Sequence, residues 1–294
     1  MKSVCDSLKH LFVLGYIHLY FMIMKMFGLR MRGLGFALRI LRHEYVFHVQ
    51  GLKFWFNPRC AAAYCIMPGG YWNEPETHVF LDNILSIVSG EIAFIDVGAS
   101  VGEMVIHMAA HQKVRHVTAF EPQAECAVAI EKSAKLNSLS NILVVPCAAS
   151  KKTGFISFSS SYRNPTAAAI SSHSHGYESI VSLDVPCVTV DETIKAIQGL
   201  KVIMLIDVEG HEPSVLLGAA NMVKSVLPLI IFEYNDTSKK HFSLSDIRNI
   251  LPDSYSYYRL RGDGRLDQDF RNSWNCVAVP AGTEFAKICK GSIV

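Results

Sequence analysis

The chain has eight cysteines in 294 residues, but none forms a Cys-x-x-Cys pair and no spacing reads as a zinc site. A disulfide framework or zinc module is therefore not what the sequence offers. Cys147 and Cys276 sit in apolar runs, where a thiol packs as a small hydrophobe, so a reduced, cytoplasmic compartment is the expectation. Charge of either sign is not in excess: a net +2 leaves no basic footprint for nucleic acid. A long apolar run is also missing. The most hydrophobic stretch, 11–24, falls short of the ~20 residues that a spanning helix needs. His18 interrupts it, Lys25 closes it, and no small-residue cleavage site follows. Finally, the chain lacks the Gly-x-Gly-x-x-Gly turn that grips a pyrophosphate.

Half of the residues are hydrophobic, enough for a full core. Length favours one large domain with an appendage. The expected division is an amino-terminal helix and hairpin over 1–70 and a main domain over 71–294. Charge is uneven across it. Residues 1–50 hold seven Lys/Arg against Asp6 and Glu44, a local +5 that leaves −3 for the rest. Three readings of the stretch 11–24 stay open. The leading one is a helix packed on the domain. The second is a helix lying in a membrane interface, with Lys25, Arg30 and Arg32 on anionic head groups and contact running through 11–40. The third is a true span. Alternation at Tyr45, Phe47, Val49 and at Leu52, Phe54, Phe56 around Gln50-Gly51 reads as a hairpin.

The centre of the sequence is 91–122. Ile92–Val97 is a short apolar run bounded by glycines, which suits a strand buried on both faces. Asp96-Val97-Gly98-Ala99-Ser100-Val101-Gly102 turns the chain into a helix with Val101, Val105, Met108 and Ala109 on one face. A second strand over 117–120 delivers Glu121, near the distance at which a doubly wound sheet sets an acid on a ribose. With Ser100 where a dinucleotide turn keeps its middle glycine, the turn suits a cofactor with a ribose but no pyrophosphate. S-adenosylmethionine is the common one. Asp96, Gly98, Ser100 and Gly102 are assigned to its methionine end, Glu121 to the ribose hydroxyls, and small Ala148 to a surface for adenine.

A third buried strand over 142–147, a fourth over 202–206 and a fifth over 228–232 alternate with helices, the signature of a parallel sheet. A helix is expected from Pro213 through Ser225, and two further strands, 255–260 and 275–279, close the chain. Residues 159–179, rich in serine and histidine, read as an irregular loop that serves as a substrate lid. His173 and His175 within it are read as solvated, with no metal assigned.

These motifs together resemble the FkbM family of S-adenosylmethionine-dependent methyltransferases. FIDVGASVGEM (94–104), VTAFEP (117–122), VTVDETI (188–194), MLIDVEGHEPSVLLGA (204–219) and IIFEYN (230–235) carry the resemblance over roughly 70–280. It implies a doubly wound, Rossmann-like α/β sheet of seven strands in the class I order 3-2-1-4-5-7-6. It also implies O-methylation of a hydroxyl on a small molecule, sugar or natural-product scaffold. Ser150 stands where many relatives place an acid after the third strand. An alcohol needs a destination for its proton, and histidine is the side chain whose ordinary pKa suits that role. His211 is the assigned base. Glu209 and Asp207 are its orienter or an anchor, sharing a face if the strand persists, and Glu212 is read as a helix-end brace. An Asn-Pro-Pro-Tyr block for methylating base amines is missing. The rival readings are an NAD-dependent oxidoreductase or epimerase, and a non-catalytic module held at a membrane.

Overall fold

The computed structural model describes residues 2–27, 34–41, 44–161, 164–170, 180–194, 197 and 199–294. Helix α1 (Lys2–Phe27) and α2 (Leu34–Ile40) precede the hairpin β1 (Tyr45–Val49) and β2 (Leu52–Phe56). A 3-10 segment, Pro58–Tyr64, leads to α3 (Pro75–Ile87) and the glycine-turn strand β3 (Ile92–Val97). Then come α4 (Glu103–Ala109), β4 (Val114–Phe120), α5 (Ala124–Leu136), β5 (Ile142–Val145) and β6 (Ala148–Ala149). Strands β7 (Gly154–Ser161), β8 (Asn164–Ile170) and β9 (Ile180–Val188) follow, then α6 (Val190–Thr193) and β10 (Lys201–Ile206). Helices α7 (Glu212–Gly218) and α8 (Ala220–Val226), β11 (Leu229–Glu233) and α9 (Leu244–Ile250) complete the parallel half. The chain closes with β12 (Tyr255–Leu260), β13 (Leu266–Asp267), β14 (Asn275–Pro280) and α10 (Glu284–Lys290).

Among the described residues, the main sheet runs β13-β12-β14-β11-β10-β3-β4-β5. Strands β5, β4, β3, β10 and β11 are parallel, and β14 and β12 are antiparallel to their neighbours. Without β13 this is the order 3-2-1-4-5-7-6. The extra strand is held by Arg259, whose guanidinium forks onto Asp267 across the β12–β13 pair.

The central strands are apolar on both faces because both faces are covered. Phe94, Ile203, Ile231 and Val277 pack with Val105, Met108 and Leu81 on one side. Ile95, Met204, Ile206 and Phe232 pack with Leu216 and Val223 on the other. A third cluster joins the amino-terminal layer to the outer side of α4 and α5: Phe54, Phe56, Tyr64 and Trp72 lie with Ile106, Cys126 and Ala129. The Trp55 amide donates to Ser133 Oγ at 3.0 Å, fixing the hairpin to α5.

Three sequence expectations change. The strand after Asn141 ends at Val145 and is half-exposed, because it is the sheet's edge with Leu143 turned outward. The helix expected through Ser225 breaks at Ala219. Much of the supposed lid is β-structure, since β7 and β8 pair antiparallel within a second sheet ordered β6-β9-β7-β8. His173 and His175, in 171–179, lie outside the described residues, as do Arg30 and Arg32. Among the described residues no helix is long and apolar enough to cross a membrane.

The α7–α8 break has a local cause. A Cβ on Gly218 would lie 2.1 Å from the Ser150 carbonyl oxygen, so the helix end packs against backbone that cannot yield. Gly218→Ala, which should favour a helix on propensity alone, is expected to destabilise the protein by about 1–3 kcal/mol in urea unfolding. A neutral or stabilising result would show that this contact is loose.

Candidate active site

The carboxyl ends of β3, β4 and β10 open onto one hollow of about 250 Å³. Asp96 and Gly98 enter it from β3, Glu121 from β4, and Asp207, Glu209 and His211 from the loop after β10. Ala148 and Ala149 form a small-residue wall, with Phe120 beside them. The floor includes residues that sequence reasoning passed over: Asn73 and Glu74 before α3, and Glu103 at the start of α4. Glu74 was legible only as the residue before a helix-starting proline, and Glu103 only as an acid in a first helical turn.

Glycine is required at one point of this turn above all. Gly98 has φ +91°, and a Cβ there would fall 1.9 Å from the Asp207 carbonyl oxygen. The β3 turn and the β10 loop therefore touch through backbone. Ser100, at φ +48°, holds a conformation uncommon for a residue with a Cβ. Its amide is the reason it persists, donating to Glu121 Oε2 at 2.8 Å, while the Gln123 amide donates to Oε1 at 2.7 Å. Gly102 does not line the hollow. A Cβ there would meet Ile130 Cγ1 at 2.9 Å, so its lack of a side chain lets α4 pack on α5.

Four amides of the turn are spent within the protein. The Gly98 and Ala99 amides donate to the Phe120 carbonyl at 3.0 and 3.1 Å, and Gly102 to Ala99 at 2.8 Å. With Ser100 given to Glu121, these four N–H groups close the turn on itself. A pyrophosphate needs such groups turned outward.

Six carboxyl groups line the hollow, those of Glu74, Asp96, Glu103, Glu121, Asp207 and Glu209, and among the described residues no lysine or arginine lines it with them. Burial pushes Glu121 up to about 7 against the pull of its two amides. Burial, then the nearby Glu103, raises Glu74 to about 7, and burial raises Glu103 to about 7. Asp96 stands well above its ordinary value through burial first and then Glu74. Asp207 does so for the same two reasons, in the same order. Glu233, behind the loop, is pushed up to about 11 by burial and then by Asp207. Charged together, these groups would repel in a low dielectric.

The β10 loop departs from the sequence picture. The strand ends at Ile206, and Glu209 takes a left-handed conformation at φ +54°. Asp207 and Glu209 therefore share the hollow through a turn, not through strand alternation. Glu212 is buried, and its Oε1 accepts from the Val208 amide at 3.1 Å, bracing that turn. His211 Nε2 and Ser150 Oγ share a hydrogen bond of 3.0 Å. Ser150 thus touches the imidazole and does not line the hollow. Among the described residues no group of three or more His, Cys, Asp or Glu side chains could hold a metal ion.

Residues 96–260 match the model of the methyltransferase FkbM domain, more than half of the chain. The chain belongs to the FkbM methyltransferase family. No curated protein matches it. Solved structures similar to this FkbM chain include a methyltransferase FkbM from Methylobacillus flagellatus, at 18% identity and a TM-score of 0.45. That likeness covers 75% of this chain and 54% of the other, so this chain spans about half the length of that protein. An rRNA methylase from Streptococcus thermophilus is similar at 10% identity over 71% of this chain and 98% of its own, with a TM-score of 0.42. M. jannaschii TYW2, solved in complex with AdoMet, is similar at 11% identity over 80% and 84%, with a TM-score of 0.40.

The raised carboxyls of this FkbM domain set its pH dependence. Glu74, Glu103, Glu121 and Glu212 hold protons when folded up to about pH 7, whereas the unfolded chain releases them near 4.5. Stability falls with pH wherever the folded state binds more protons. The ligand-free protein is therefore expected to lose at least about 5 °C of melting temperature between pH 5 and pH 8. A melting temperature that rises over that window would contradict the protonated cluster.

Proposed function

We propose that this FkbM domain is an S-adenosylmethionine-dependent O-methyltransferase acting on a hydroxyl of a small molecule or carbohydrate. The observation that carries the cofactor is the carboxyl-lined hollow beside a turn whose Gly98, Ala99, Ser100 and Gly102 amides are spent within the protein. Such a site favours a ligand that is cationic and joined to a ribose, and disfavours the two negative charges of a dinucleotide. The donor set fits. Glu121 can still accept from two ribose hydroxyls, since each carboxylate oxygen has a second lone pair. Asp96 and Glu74 sit where an ammonium would relieve their burial. Ala148 and Ala149 leave room for a flat ring.

Bound in this way, S-adenosylmethionine supplies an electrophilic methyl on a sulfonium, and much of the acceleration comes from holding the acceptor in line. The chain's own part is at the β10 loop. His211 takes the proton from the acceptor hydroxyl, and Ser150 sets the imidazole through the 3.0 Å contact. Asp207 and Glu209 anchor the acceptor by receiving its other hydroxyls. A polynucleotide would bring phosphates toward six carboxyls, which supports a small acceptor instead.

Calorimetric titration with S-adenosylmethionine and, separately, with NAD tests the cofactor. Binding of the first in the micromolar range, weakened at least about tenfold by Glu121→Gln, is the expected outcome. Tighter binding of NAD would replace the reading with an oxidoreductase. For the base, transfer of labelled methyl to a panel of sugars and hydroxylated small molecules is the measurement. His211→Ala is expected to slow it at least about tenfold with cofactor affinity unchanged. An unchanged rate would remove His211 from the proton transfer.

A further inference from the structure

Helix α1 carries two apolar faces, and only one is used by the fold. Ile17 and Tyr20 are buried. Phe21 stacks on Tyr71 at 6.3 Å, and its ring occupies the space over Gly69, where a Cβ would lie 2.1 Å away. At about 100° per residue, Phe12, Leu19, Met22 and Met26 form a single stripe on the side away from Ile17 and Tyr20. The stripe is open to solvent, with Phe12 79% and Met26 64% exposed. His18 and Lys25, both exposed, run along one flank of it. The Lys25 stem can lie along the apolar stripe while its ammonium reaches past it.

We propose that α1 seats the protein on an anionic lipid surface, lying in the headgroup plane with the Phe12–Met26 stripe turned into the lipid. Three observations select that occupant. First, no described helix is long and apolar enough to span a bilayer, so the apolar stripe has to be used from one side. Second, an apolar face with a basic flank is the composition of helices that lie in the interface. Third, charge is polarised in the matching sense: 1–50 carries +5 and the remainder −3. An anionic surface thus attracts the amino-terminal segment and turns the rest away. A second copy on the same face would bring two +5 segments together, so charge opposes it. The seating has a consequence for the site. The helix packs on Gly69 and Tyr71, and Asn73 and Glu74, two and three residues past Tyr71, line the hollow. The methyl acceptor would then be met beside the membrane surface.

The full chain sedimented with phosphatidylcholine vesicles, and with vesicles about one-third phosphatidylserine, tests this. Binding is expected to be at least about fivefold stronger to the anionic vesicles and to weaken with salt. Met22→Glu with Met26→Glu should abolish it while leaving the melting temperature intact. Lys25→Glu, at an exposed position, should lower it at least about fivefold, and it carries the test if the double variant does not fold. No binding to either vesicle overturns the proposal. So does binding that ignores both variants, or a dimer in solution that Met22→Glu dissolves. The readout is sedimentation, so its failure is independent of whether S-adenosylmethionine binds.

Discussion

Carboxyl groups held away from water without a described counter-cation are costly, and this fold gathers six buried or half-buried ones around one hollow. Everything about the site follows from how that cost is met. In the free protein it is met by protons, which is why burial leads the upward shift of Glu74, Asp96, Glu103, Glu121 and Asp207 alike. A positively charged ligand would meet it in another way, by letting the groups ionise against it. The hollow is thus poised for a cation before any particular ligand is considered.

Backbone contact keeps the cluster together. Gly98 lets the β3 turn touch the Asp207 carbonyl, and Glu121 pins the same turn by taking the Ser100 and Gln123 amides, one on each oxygen. The positive φ angles at Ser100 and Glu209 cost of order 1 kcal/mol or more each, and both lie at the mouth of the site. The strain sits where three strand ends deliver side chains, and the buried sheet behind supplies the rigidity that sustains it. On the far side of α4 and α5, the aromatic layer of Phe54, Phe56 and Tyr64 gives α1 its seat.

The sheet was legible because its strands are buried on both faces, so Ile92–Val97, 202–206 and 228–232 stand out as unbroken apolar runs. Asp96, Gly98, Ser100 and Glu121 were legible because glycine and acid spacing at a strand end is set by local geometry. Gly102 looked like the same signal, yet its close contact is Ile130 on the next helix, which only the packed structure reveals. Glu74 and Glu103 carried no local sign, since their place in the hollow depends on where α3 and α4 dock. The loop 207–211 misled strand alternation because the chain turns left-handed at Glu209. The serine-rich end of β7 lacked a period, but pairing with β9 overrides weak local preference there.

The most direct test of the central claim is the proton balance of cofactor binding, read by calorimetry near pH 7 in buffers of different ionisation enthalpy. If protons hold the carboxyl cluster in the free protein and a cation replaces them, binding of S-adenosylmethionine releases protons to the buffer. Binding with no proton release, or with uptake, would contradict that account.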